Sequence, residues 1–405
     1  MAFGFDLVVI GSGPGSHTAA CRAAGRGMKT ALVTSSHGAQ LLDKGGVQII
    51  RGSGRLDGPG CVLVTGDSEF PELSAPRIIL APQSVPACPS RVQPDGQRLL
   101  FPHDLRPQED PPSSLTVVGA GSAGCAWSSL LSRQGCTITL VELQEQVLPD
   151  EDAECVKVVT GHLESQGVRL RTGHRLAGAE AHAAGVTIQL KDRLQGSLER
   201  QEDRALLITV GHQPAHRELG LDSVTVVQDR QGHILTDLMM QTATPGLYAI
   251  GDAVPSPRLE HLAHREAMVA VDHAAGEQPE PLRYHLAPRC HSIGPVQLGA
   301  VGFREDQALA AGHLVTVGRA TFQNLAGESA GIHQGSLAKV VVDAETDRIL
   351  GVHLVGPQAG ELLPEAATVV GLGTTVPAWA RVLFPLSPGH QVLLEAVEAA
   401  RRGGG

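Results

Sequence analysis

The chain carries no cysteine framework, no excess of positive charge and no long apolar run. Its seven cysteines, Cys21, Cys61, Cys88, Cys125, Cys136, Cys155 and Cys290, are dispersed, and none forms a C-x-x-C pair. An odd, scattered set reads as reduced thiols in an intracellular protein and excludes a disulfide-stapled fold. The formal charge of −10 argues against a nucleic-acid or anionic-membrane partner. No apolar stretch approaches the ~18 residues that a membrane span needs. An apolar strand pattern begins within about five residues of Met1, and a cytoplasmic location is expected, with an organelle protein given without its presequence as the alternative. With 42% hydrophobic and 18% charged residues among 405, the chain fits an ordinary globular protein of two to four domains at about 100 to 200 residues each.

What is present is organised around residues 114–142, SLTVVGAGSAGCAWSSLLSRQGCTITLVE. An apolar strand over 115–118 meets Gly119, Gly121 and Gly124 in GxGxxG spacing. A small-residue helix follows, and a second apolar strand over 137–141 ends in Glu142. This is the pattern of a dinucleotide-binding βαβ unit, with a purely structural turn as the alternative. Gly119 permits the tight turn, Gly121 lets the backbone approach a pyrophosphate, and Gly124 allows helix and strand to pack closely. The helix N-terminus presents unpaired N–H groups and partial positive charge to that pyrophosphate. Glu142, 23 residues after Gly119, would accept hydrogen bonds from a ribose diol and repel a 2′-phosphate, which favours NAD over NADP.

A second unit of the same kind opens the chain. Residues 5–10 read as a strand, GSGPGS at 11–16 as the turn, and a helix runs to about residue 26. Gly11, Gly13 and Gly15 supply the turn, with the small Ser16 at the third-glycine position. The next strand, 30–33, ends at Thr34, so the carboxylate that normally holds a ribose diol is missing there. Strands are read at 47–50, 61–65 and 77–80, and the Pro-rich stretch 102–112 reads as a linker.

Beyond Glu142 the pattern predicts a helix over 152–166 and strands over 168–171, 186–190 and 205–210. A GHQP turn opens with Gly211, taken as a further cofactor contact. TPGLYAIGDA at 244–253 reads as an apolar strand delivering Asp252, followed by a helix over about 259–275. Ligands bind at the carboxyl ends of strands in open α/β sheets, so Asp252 is either a ligand contact or a helix N-cap. His261 and His264 are three apart on that helix, but no carboxylate or cysteine cluster accompanies them, so no metal site is read. Cys125, Cys136 and Cys290 read as core thiols. From residue 284 the chain becomes an α+β appendage with a hairpin over 338–355 and helices at 358–372, 376–383 and 389–401.

Two nucleotide turns, the GD motif and an α+β tail in that order resemble the pyridine nucleotide-disulfide oxidoreductases, nearest the dihydrolipoamide dehydrogenase branch. The most specific matches are TPGLYAIGDA, VGHQP at 210–214, VGFREDQA at 301–308 and TDRILGVHLVGPQAGELLPEAA at 346–367. The resemblance implies an α/β fold with two Rossmann-like dinucleotide-binding domains and a C-terminal α+β dimerisation domain. Residues 1–112 and 236–283 would form a discontinuous FAD domain, 113–235 an NAD domain, and 284–405 the dimerisation domain. It further implies FAD held by the 11–16 turn and Asp252, with His261 near the flavin ring or simply on a helix face, and a homodimer.

The departures matter equally. The family's C-x4-C redox pair has no counterpart, and only about a dozen residues separate Thr34 from Gly46 where that segment would stand. The family's A-T-G turn appears as Ala81, Pro82, Gln83. Its C-terminal H-P-x-x-x-E aligns with LSPGHQ, placing Leu386 and Gln391 at the histidine and glutamate positions, with His390 as a possible substitute. The expected function is therefore electron transfer from NADH through flavin to a quinone-like small molecule or a protein acceptor, without dithiol chemistry. The alternative is a catalytically inactive relative serving as a binding or structural subunit, with a protein partner or a larger complex as its setting.

Overall fold

The computed structural model describes residues 3–35, 45–66, 69–106, 110–216, 218–321, 336–384 and 387–403. The Gly-rich link after Ser35, part of the Pro-rich linker, Leu386 and the last two glycines lie outside the described residues. In chain order, the elements that position the sites are β1 (Leu7–Gly11), α1 (Pro14–Gly25), β2 (Thr30–Thr34), β3 (Val47–Arg51), β4 (Ile78–Ala81), β5 (Ser114–Val118), α2 (Ser122–Arg133), β6 (Thr137–Val141), α3 (Ala153–Ser165), β7 (Arg169–Arg171), β8 (Ala205–Ile208), β9 (Leu247–Ala249), α4 (Glu260–Ala274), β10 (Arg289–Ile293), β11 (Val296–Gly302), β12 (Val315–Thr321), β13 (Leu337–Asp343), β14 (Ile349–Gly356), α5 (Ala359–Gly371) and α6 (Pro388–Arg401). They belong to two compact units, Met1–Val85 with His212–Tyr284, and Pro86–Gly211 with His285–Gly405.

In the first unit five parallel strands run in the order β9-β4-β1-β2-β3. Their near-continuous apolar sequences are what a sheet covered on both faces demands. Leu7, Val9 and Ile79 pack beneath α1 and α4, while Val8, Ile10 and Leu80 face the other side with Leu56, Val62 and Leu73. The connection order reverses at β1, so the carboxyl end of β1 is the crevice where ligands bind in such folds.

The second unit repeats this plan around β5, with β8 on one side and β6 then β7 on the other, all parallel. Two antiparallel sheets complete it. Residues His174–His182, Gly185–Asp192 and Leu198–Asp203 form one, where the sequence predicted only the middle strand. The order β10-β11-β14-β13-β12 forms the other, covered by α5 and α6. The predicted helix over 376–383 is shorter, Val376–Trp379. Cys290, expected in the core, lies in the edge strand β10 and is exposed, with its sulfur at the margin of α5, where a Cβ on Gly360 would lie 3.3 Å from it.

Candidate functional site

The turn after β1 is built by steric necessity. Gly11 has φ of +155°, and a Cβ there would lie 2.1 Å from the Ala81 carbonyl oxygen. Gly13 is the N-cap of α1, which has neither a side-chain cap nor an acid in its first turn. A Cβ at Gly13 would meet nothing within 4 Å, so the helix N-terminus opens onto free space suited to an anion. At Gly15 a Cβ would sit 3.3 Å from Ala263, because α1 and α4 pack closely here. Ser16 is buried and donates from Oγ to the Gly13 carbonyl at 2.7 Å, which is how a hydroxyl serves in place of the third glycine.

A cleft of about 630 Å³ extends from this turn past Thr34 to Arg55 and Asp222, a size typical of ligand sites. Thr34 Oγ1 lies 2.9 Å from Ser12 Oγ at the strand end. Asp252 sits in a single 3-10 turn, Gly251–Ala253, and accepts from Ser84 Oγ at 2.5 Å. It does not cap the following helix, since α4 begins behind Leu259.

His261 is exposed on α4. His264 instead reaches α1, hydrogen-bonding Thr18 through Nδ1. No group of three metal-capable side chains occurs among the described residues. The sequence missed Glu266, which is fully buried on α4. It accepts from the Gly251 amide at 2.6 Å and from the Tyr284 hydroxyl at 3.0 Å, fixing the turn that carries Asp252. Burial pushes the Glu266 carboxyl above its ordinary value.

The second turn, after β5, is tighter. Gly119 has φ of +100°, and a Cβ there would lie 2.6 Å from the Thr209 carbonyl oxygen. A Cβ at Gly124 would lie 1.8 Å from the Gly119 carbonyl oxygen, while one at Gly121 would meet nothing within 4 Å. Gly121 is the N-cap of α2, again with no side-chain cap and no acid in the first turn. Glu142 follows β6 and is anchored at both oxygens, by the Ala120 amide at 2.7 Å and the Gln144 amide at 2.9 Å. Thr209, which the sequence did not single out, donates to the carbonyls of Val118 and Gly119 at 2.9 and 2.8 Å. Gly211 has φ of +100°, and its carbonyl accepts from the Ala87 amide. Both turns thus combine an open, uncapped helix N-terminus with glycines that side chains cannot replace, and the residues present fit two dinucleotide pyrophosphates.

The thiols and the C-terminal histidine are differently placed. Burial pushes Cys125 up to about 12 and Cys136 up to about 11, and raises Cys155 well above its ordinary value. These are inert core thiols. His390 is held at both nitrogens, by Ser387 Oγ at 2.8 Å and Glu365 at 3.1 Å, and Glu365 also accepts from Trp379 Nε1. That arrangement anchors the start of α6.

Comparison with known proteins agrees with this geometry. Residues 291–396 match the dimerisation domain of the pyridine nucleotide-disulphide oxidoreductases. The chain is 31% identical to dihydrolipoyl dehydrogenase of Thermus scotoductus, covering 98% of each chain. It is 28% identical to that of Bacillus subtilis, covering 99% of this chain and 98% of the relative. Dihydrolipoyl dehydrogenases use FAD and NAD(H). The fold is similar to LpdA from Mycobacterium tuberculosis, with a TM-score of 0.85, 24% identity and 99% of each chain covered. It is also similar to the HOCl-induced flavoprotein disulfide reductase RclA from Escherichia coli, with a TM-score of 0.82, 19% identity and 97% and 98% covered. No described helix is long and apolar enough to cross a membrane. Since residues 39–267, more than half of the chain, also match the family's main domain, the chain belongs to the pyridine nucleotide-disulphide oxidoreductase family, on its dihydrolipoyl dehydrogenase branch.

Proposed function

We propose that this protein is an NADH-dependent flavoprotein that passes electrons to a quinone-like molecule or a protein acceptor without a dithiol relay. The observation that carries this reading is the pairing of a well-formed turn, Gly119, Gly121, Gly124 and Glu142, with a sequence in which no two cysteines stand in C-x4-C spacing. Gly121 and the N-terminus of α2 would hold the NAD pyrophosphate and Glu142 its ribose; Gly211 would lie beside it. Gly11, Gly13, Gly15 and Ser16 would hold the FAD pyrophosphate, and Asp252, oriented by Ser84 and the Glu266-fixed turn, would accept from the flavin nucleotide. Hydride transfer is chemistry that the two cofactors supply, while the chain binds and orients them. Residues 1–112 with 236–283 are assigned to FAD, together with the segment 212–235 that packs in the first compact unit, 113–211 to NAD and 284–405 to a homodimer interface, in a cytoplasmic protein.

A visible spectrum and an NADH oxidation assay with a quinone test the proposal. A colourless protein that oxidises no NADH after reconstitution with FAD would eliminate it. A second reading, a catalytically inactive binding or structural subunit, draws on the absent thiol pair and the missing acid at Thr34. Stable co-purification within a larger assembly would favour that reading. Light scattering showing a monomer would remove the homodimer.

A further inference from the structure

The two nucleotide turns differ at one position that matters for an adenosine. After β6 stands Glu142; the corresponding place, the last residue of β2, is Thr34, paired with Ser12. A ribose diol offers two hydroxyl donors, and an ionised carboxylate accepts them more strongly than neutral hydroxyls do. The cleft contains carboxylates that arrive from elsewhere in the first unit. Glu218 and Asp222 line the same cavity as Gly11, Ser12 and Thr34, together with the guanidinium of Arg55. Among the described residues none of these three charged side chains has a hydrogen bond or ion pair, so all three are available to a ligand.

The segment bearing the two acids is pinned in place. The Leu56 amide donates to the Leu219 carbonyl at 2.8 Å, and the Gly58 amide donates to Ser223 Oγ at 3.0 Å. Gly220 has φ of +69°, and a Cβ there would lie 2.3 Å from the Leu56 carbonyl oxygen and 3.1 Å from Arg55 Nε. Leu219 is buried between the two acids in sequence. Backbone docking against the strand Ser53–Leu56 therefore holds the segment that bears Glu218 and Asp222 at the cleft wall.

We propose that Glu218 and Asp222 accept the adenosine ribose diol of the flavin nucleotide, replacing the acid that the end of β2 lacks. This rests on the flavoprotein reading above. Two carboxylates against the one guanidinium of Arg55 disfavour a nucleotide carrying an additional ribose phosphate.

FAD is titrated into the full-length apoprotein and followed by flavin fluorescence, with displacement by 5′-ADP and by 2′,5′-ADP. The Glu218→Gln, Asp222→Asn double variant weakens FAD binding about tenfold or more, and adding Thr34→Glu recovers part of it. Far-UV circular dichroism checks that each variant is folded. In the unaltered protein 5′-ADP displaces FAD better than 2′,5′-ADP does. FAD bound equally well by the folded double variant overturns the inference and leaves the flavoprotein reading standing. Stronger displacement by 2′,5′-ADP also overturns it, in favour of a ribose-phosphate site. An unaltered protein with no saturable FAD binding overturns both.

Discussion

Gly124 lies so close to Gly119 that a single methyl group at position 124 would stand 1.8 Å from the Gly119 carbonyl oxygen. The obstructing atom is backbone, so relief requires α2 to move away from the turn. Gly124→Ala is therefore expected to lower stability by about 1 to 3 kcal/mol and to weaken NADH binding with it. Denaturant unfolding and an NADH titration check both effects.

Gly121 gives the opposite signature. A Cβ there meets nothing, so Gly121→Ala leaves unfolding within about 0.5 kcal/mol of the original protein while the methyl group occupies the pyrophosphate's approach. Loss of NADH affinity at unchanged stability is the expected result. The pair of variants separates a ligand-binding turn from a merely structural one.

Glu142 is held by the amides of Ala120 and Gln144, leaving its remaining lone pairs for a ribose. Replacement by glutamine removes charge and keeps shape. NADH binding is expected to weaken about tenfold, and the preference for NADH over NADPH to narrow. Parallel titrations with the two nucleotides measure this.

The parallel sheets and both glycine turns were legible in the sequence because apolar runs and glycine spacing are local signals. The antiparallel sheet around residues 174–203 was not. Its strand Leu198–Asp203, LERQED, is mostly exposed and has no apolar face to read. Glu266 and Lys339 were missed for a different reason. Lys339 interrupts the apolar run LAKVVVD, and its partners Asp152 and Glu154 are 187 and 185 residues away. Only the fold reveals what satisfies such a buried charge.

That lysine yields a stability prediction. Lys339 is 4% exposed and pairs with Asp152, Glu154 and Glu305. Lys339→Ala would leave the buried Asp152 without its cation, while Glu154 and Glu305 keep Arg319, at a cost of about 3 kcal/mol. Urea unfolding reads it directly.

Acid sensitivity follows from the neighbouring Glu151. Burial alone would raise its carboxyl, but hydrogen bonds from His291 and Arg289 outweigh burial and hold it at about 2 against an ordinary 4.5. A depressed folded-state value contributes stability that is complete above 4.5 and is lost as pH falls towards 2. Stability measured across that window should decline in the unaltered protein and decline less steeply in Glu151→Gln.

Buried thiols provide a chemical check. Cys125, Cys136 and Cys155 are buried, while Cys21, Cys88 and Cys290 are exposed and Cys61 is half-buried. Alkylation of the native protein at neutral pH should modify at most the latter four, and unfolding should open all seven, as intact mass reports.

The most direct test of electron transfer without a dithiol is an anaerobic titration of the FAD-loaded protein with NADH, followed by the visible flavin band. One NADH per flavin should complete the bleaching, because flavin alone accepts the electron pair. Consumption of a second equivalent would reveal a thiol relay, and a flavin band untouched by NADH would contradict the account outright.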